Sequence, residues 1–157
     1  MKRFATCFIA ALLVSGCGDK SDSQLIREAQ DLVKQDLAKK YKPGECEKWL
    51  KMEIAGVIKS GSSTLVCDNE FNVSKGLTFS DVRVYRHDSN NSVCGKITGF
   101  TDTGNIDGNF VFTDSNGGRV FIKNSKYPAF QQSDNQNSKN IIELINRQFA
   151  LESKQCQ

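Results

Sequence analysis

His87 is the single histidine in the 157-residue chain, so imidazole-based catalysis, or a metal cluster that uses imidazole, has to be built around it. It stands between Arg86 and Asp88 in a stretch that reads as a turn, where a solvated loop histidine is expected. The segment Asp102 to Asn109 reads D-T-G-N-I-D-G-N, in which Asn105, Asp107 and Gly108 match part of an EF-hand calcium loop. Thr103 and Asp114 would then take the first and twelfth positions, where the motif requires Asp and a bidentate Glu, and strands replace the flanking helices. A turn-rich connection is expected there instead of a cation site. Asp68 with Glu70, and Asp102 with Asp107, are carboxylate pairs close in sequence, but acid/base work also needs a pocket that pushes their pKa values apart. No pattern in the sequence marks such a pocket. The expectation is no catalytic set, no metal and no cofactor, and hence not an enzyme.

A different chemistry attaches to Cys17. Lys2 and Arg3 form a short basic region, and Phe4 to Val14 form an apolar run broken only by Thr6. That run falls short of the roughly 20 residues a stable membrane span takes. It ends in Val14-Ser15-Gly16-Cys17, which resembles the lipobox of bacterial lipoprotein signal peptides. The resemblance implies that residues 1–16 are a signal peptide and that Cys17 receives diacylglycerol and palmitate. Residues 17–23 then form a tether and 24–157 a single periplasmic domain. Several acyl chains make an effectively permanent anchor, at roughly 0.8 kcal/mol per buried methylene. Gly18 stands where an aspartate would favour inner-membrane retention, so the resemblance implies the periplasmic face of the outer membrane, with the inner membrane as the alternative. Residues 18 to 23, extended, reach at most roughly 20 Å.

The formal charge of +3 includes Lys2 and Arg3, so the exported chain is nearly neutral. Bulk charge gives no reason to expect nucleic acid as a partner. Of six cysteines, Cys7 leaves with the signal and Cys17 is acylated, which leaves Cys46, Cys67, Cys94 and Cys156. An even number in an oxidising compartment reads as two disulfides. Three pairings are open. Cys46 with Cys67 and Cys94 with Cys156 is the expected one, because the first brackets a self-contained segment and the second ties the end of the chain to a strand. A metal site would need CxxC-like spacing or more histidines.

The elements that must carry these residues are unevenly marked. Residues 23 to 40 predict an amphipathic helix, with Leu25, Ile26, Ala29, Leu32, Val33 and Leu37 at helical spacing and Ser21 with Gln24 as a capping box. Glu45 to Ile58 fits a short helix followed by a strand, or one irregular strand, and Thr64 to Cys67 is expected to pair back with Ala55 to Lys59 as a hairpin. Phe79 to Arg86 reads as a strand with Val82 and Val84 on one side and Phe79, Asp81, Arg83 and Tyr85 on the other. Val93 to Phe100 follows, with Gly95 and Gly99 marking bulges or close packing. Asn109 to Thr113 and Arg119 to Lys123 form a hairpin, and Phe110, Val111 and Phe112 make its first strand apolar on both sides. After a polar loop from Gln131 to Asn137, Ser138 is expected to cap a second helix from Lys139 to about Leu151. Short connections make adjacent strands antiparallel. The predicted fold is therefore α+β: an antiparallel meander with amphipathic helices at the N- and C-terminal ends packed on it.

Val93-Cys94-Gly95-Lys96-Ile97, the Asn/Gly-rich Thr101 to Gly108 and Phe110-Val111-Phe112 together resemble a pattern in small proteobacterial lipoproteins. It covers about residues 22–40 and 78–156, with 45–77 as an addition, and it implies the fold and a Cys94–Cys156 link but no activity. The leading expectation is a membrane-anchored module that binds another envelope protein, as an exclusion, immunity or accessory factor. The alternative is a structural lipoprotein that stabilises an outer-membrane or secretion complex, and an enzyme ranks third. Labelled palmitate should enter the wild-type protein and not Cys17→Ala when cells are fed the lipid and the protein is recovered; equal labelling of both would overturn the lipobox assignment.

Overall fold

A computed structural model describes residues 19–127 and 135–157. The signal segment, Cys17 and most of the predicted polar loop at 131–137 lie outside the described residues. Helix α1 (Asp22–Lys40) begins at the expected capping box: the Ser21 side chain accepts from the Gln24 backbone, and the Gln24 side chain accepts from the Ser21 N–H at 2.9 Å. Lys39 and Lys40 lie in its last turn, where cations suit the helix dipole. Its buried stripe is Leu25, Ala29, Val33 and Leu37.

Four strands follow the short helices described below: β1 (Leu77–Arg86), β2 (Asn91–Phe100), β3 (Asn105–Thr113) and β4 (Arg119–Asn124). They pair in sequence order, each antiparallel to the next. This is the predicted meander. Phe110, Val111 and Phe112 are all buried on the interior strand β3, so its two-sided apolar character reflects its place. Phe110 and Phe112 join Val93, Ile97 and Ile106 in one cluster with the α1 stripe.

The face assignment in β1 is corrected. A register shift between Ser80 and Arg83, with Asp81 at φ 53°, interrupts the alternation. Phe79 and Leu77 therefore pack against the same cluster as Val82 and Val84, where strict alternation would have turned the first pair away. Asp81 is left at the surface, 2.8 Å from the Lys96 ammonium.

Helix α4 (Gln136–Glu152) starts earlier than expected. Its cap is Asn135, whose side chain accepts from the Ser138 N–H at 2.8 Å, while Ser138 itself is buried in the first turn. Beyond α4 a 3-10 turn, Ser153–Cys156, carries Cys156 to Cys94, and the two are joined with their Cα atoms 6.0 Å apart. Cys94 alternates with Val93 along β2, so this bond fastens the end of the chain to the sheet face opposite α1. In the loop-entropy picture the 62-residue separation is worth about 4 kcal/mol.

Gly95 is a close-packing position. A Cβ there would come 2.8 Å from the edge of the Phe110 ring and 3.1 Å from Val82. Gly95→Ala should cost about 1–3 kcal/mol by overpacking, read as a lower urea midpoint at unchanged slope; an unchanged midpoint would show that the ring can move aside.

Candidate functional site

Between α1 and β1 the chain makes two helices: the short helix that was one of the two readings of Glu45 to Ile58 is present, while the strand after it and the hairpin with Thr64 to Cys67 are replaced by a turn and a second helix. Helix α2 spans Glu45–Ile54 and α3 spans Ser62–Cys67. Both start at a glycine in the left-handed region, Gly44 at φ 79° and Gly61 at φ 86°, a conformation that costs glycine little. The missing side-chain cap of α3 is supplied from α2: the Glu53 carboxylate accepts from the Gly61 N–H at 2.7 Å and the Ser63 N–H at 2.8 Å. Hydrogen bonds from the Ser63 side chain and from these N–H groups hold the Glu53 pKa below its ordinary value. Cys46 and Cys67 close the base of the pair, with their Cα atoms 4.7 Å apart. The expected disulfides are thus both present, although the segment they were expected to staple is helical.

This helical pair is latched to the rest of the domain through Asp102, in the β2–β3 connection. The Tyr41 hydroxyl donates to Asp102 Oδ1 at 2.8 Å, and the Asn72 amide donates to the same oxygen at 2.7 Å and to the Tyr41 oxygen at 2.8 Å. Burial, then the neighbouring Asp102, raise the Tyr41 pKa. Lys75 donates at 2.8 Å to the carbonyls of both Thr101 and Asp102. A second tie runs through Asp68, which accepts from the Thr101 hydroxyl at 2.7 Å and pairs with Lys126 at 2.7 Å. Burial pushes the Asp68 pKa up, but Lys126 and Thr101 outweigh it and leave it lowered.

Between the helical pair and the end of α1 lies a cleft of about 560 Å³. Trp49, Leu65 and the Cys46–Cys67 bond wall one side, and Lys40, Glu70 and Asp102 bring charge to it. Lys40 is already held 2.8 Å from Asp36, and Lys42 lies 3.9 Å from Glu45. Glu70 has no hydrogen bond or ion pair among the described residues. Desolvation raises its pKa; Lys40 and Lys42 oppose this, while Asp36 and Glu45 reinforce it. Sequence reasoning treated Glu70 only as half of a carboxylate pair with Asp68, and no local signal set it apart.

At the far end of the pair, the turn Ile54-Ala55-Gly56-Val57-Ile58 is apolar and open. Ile54 is 85% exposed and Val57 70% exposed, and Leu50 and Leu65 are also exposed. Lys51 and Lys59 flank the turn. The sequence-predicted candidates fall elsewhere. His87 is half-buried, and its Nε2 lies 3.0 Å from the Gln155 carbonyl, so it helps dock the C-terminal turn instead of standing in solvent. Asp107 lies in β3 opposite Thr98, apart from the latch built on Asp102. Asp114 accepts from the Asn91 N–H and side-chain amide, both at 2.7 Å. Among the described residues, no group of three or more His, Cys, Asp or Glu side chains is placed to hold a metal ion.

Comparison with family models, curated proteins and solved structures returns no match to this chain. The raised pKa of Glu70 implies a pH-dependent cost. A folded-state pKa above the ordinary 4.5 favours the folded protein when the carboxyl is protonated, and that advantage disappears as pH rises through the raised value. Glu70→Gln should therefore melt above wild type at pH 7, with the gap closing as the pH is lowered to 4.5; a gap that stays constant across this range would overturn the assignment.

Proposed function

We propose that the protein is a lipid-anchored envelope lipoprotein whose domain binds another envelope protein through the α2–α3 turn. The observation that carries the reading is the exposure of Ile54 and Val57 on a turn held in one shape. Large exposed apolar groups in a contiguous patch mark interaction sites, whereas isolated ones need no explanation. Here the turn is fixed on both sides: Glu53 caps α3, and the Cys46–Cys67 bond closes the base. An apolar tip that is already ordered has less entropy to lose on docking. The fitting partner surface is an apolar pocket with an acidic rim, complementing Lys59, whereas Lys51 is already held 2.6 Å from Glu47.

The order of the elements bears on the partner. The 19 residues of α1 span roughly 28 Å, with its N-terminal end nearest Cys17 in the chain and α2 following its C-terminal end. Lipidation at Cys17 would confine the domain to a membrane surface and raise its effective concentration near envelope partners.

A photo-crosslinking residue in place of Val57 should give a discrete crosslinked product in intact cells, and one in place of Lys139 should not. The product should disappear in Ile54→Asp. Its yield should fall when Cys17→Ala is exported through a non-lipoprotein signal at matched abundance. No product at position 57, or the same products from both positions, would overturn the reading.

A further inference from the structure

We propose that the cleft between Trp49 and Glu70 seats a cationic side chain, lysine or arginine, presented by the partner protein. The inference deepens the binding reading above and rests on it for the source of the cation. The cleft offers an indole and aliphatic wall beside a carboxylate, and these are the two surfaces that a long side chain with an apolar stem and a charged head can satisfy together.

The charge inventory decides the sign of the guest. Lys40 is held 2.8 Å from Asp36 and Lys42 lies 3.9 Å from Glu45, so each cation already has a carboxylate beside it that an anionic guest would have to compete with. Asp102 Oδ1 is committed to Tyr41 and Asn72. Glu70 is a half-buried carboxylate on this wall that makes no hydrogen bond or ion pair among the described residues, with Lys40 and Lys42 acting on it only at longer range. The surrounding charges act on it in opposed pairs, Lys40 and Lys42 against Asp36 and Glu45. A guest cation would meet a carboxylate already stripped of part of its water, where attraction is stronger than at an open surface. Guanidinium or ammonium, seated against the indole, would neutralise that carboxylate and recover the cost of its burial.

The cleft holds its own reporter, because Trp49 is the single tryptophan in the chain. Titrating the full-length protein with the tripeptide acetyl-leucyl-arginyl-leucine amide should change tryptophan emission saturably, and added salt should weaken the binding. The same peptide with norleucine or glutamate in place of arginine should give no saturable change. Glu70→Gln should weaken the arginine peptide by about tenfold, while Asp88→Asn, on the distant β1–β2 turn, should leave it unchanged. Equal responses to arginine and norleucine, or equal affinity in wild type and Glu70→Gln, would overturn the inference. Crosslinking at position 57 separates the two readings. If it persists while the peptides fail to bind, the cleft assignment falls and the docking turn stands; if it fails while the arginine peptide binds in a Glu70-dependent way, the turn falls and the cleft stands.

Discussion

Phe110 and Phe112 lie beneath Leu25, Ala29, Val33 and Leu37, and the room these two rings need dictates much of the sheet around them. Burying a Leu, Val or Phe side chain fully is worth roughly 1.5–3 kcal/mol, so this one contact surface supplies a large part of what holds α1 to the strands. The rings leave no space for neighbours of ordinary size. Gly95 abuts the edge of Phe110, and Gly118 has Phe112 within 3.2 Å and Leu32 within 2.9 Å of where its Cβ would stand. The irregularity at Asp81 serves the same surface. It lets a strand whose apolar residues fall at 77, 79, 82 and 84 present all four to α1, at the cost of one non-glycine residue at positive φ.

Where a single periodicity ran for several turns, the residues were readable. The stripe in α1 repeats over 19 residues and starts at a capping box, and the meander is written in β-branched runs separated by turn residues. The disulfide pairing was also legible, since one bond encloses a self-contained segment and the other links a strand to the end of the chain. The misread parts share a cause. Helices of 10 and 6 residues give too few turns for periodicity to separate them from strands. Ser60-Gly61-Ser62-Ser63 looks like a reversal between strands because its helix-starting role depends on Glu53, eight residues before Gly61. Ser138 and Asn135 both have side chains able to cap a helix; Asn135 takes the role and Ser138 is buried in the first turn. The candidate site was the least legible. Glu70 and Trp49 become neighbours of one cleft only once the α2–α3 pair folds back, and nothing local to either residue records that.

The stretch from α2 to Glu70 carries two features that folding alone does not favour. Glu70, three residues past α3, is kept half-buried with no ion pair among the described residues, and Ile54 and Val57 are kept in water. The first is costly, since a desolvated carboxylate without an ion pair raises the free energy of the folded chain, and the second forgoes the stabilisation that burial of the aliphatic groups would give. The Cys46–Cys67 disulfide lies in this stretch, and the three-residue latch of Tyr41, Asn72 and Asp102 ties its flanks to the β2–β3 connection. These cross-links offset the local cost.

Helix α1 couples this surface to the core in a way that limits how either can change. Its length sets the distance between the N-terminal end, where a Cys17 anchor would attach, and the α2–α3 pair, while its angular register sets which residues meet Phe110 and Phe112. One inserted residue turns everything beyond it by about 100°, which would swing Val33 and Leu37 off the sheet if placed near Ala29. The shortest insertions that return the stripe to within roughly 20° of its face are about 7 and 11 residues, and these lengthen the helix by about 10 Å or more. The length of α1 can therefore change only in coarse steps while its stripe stays on the sheet.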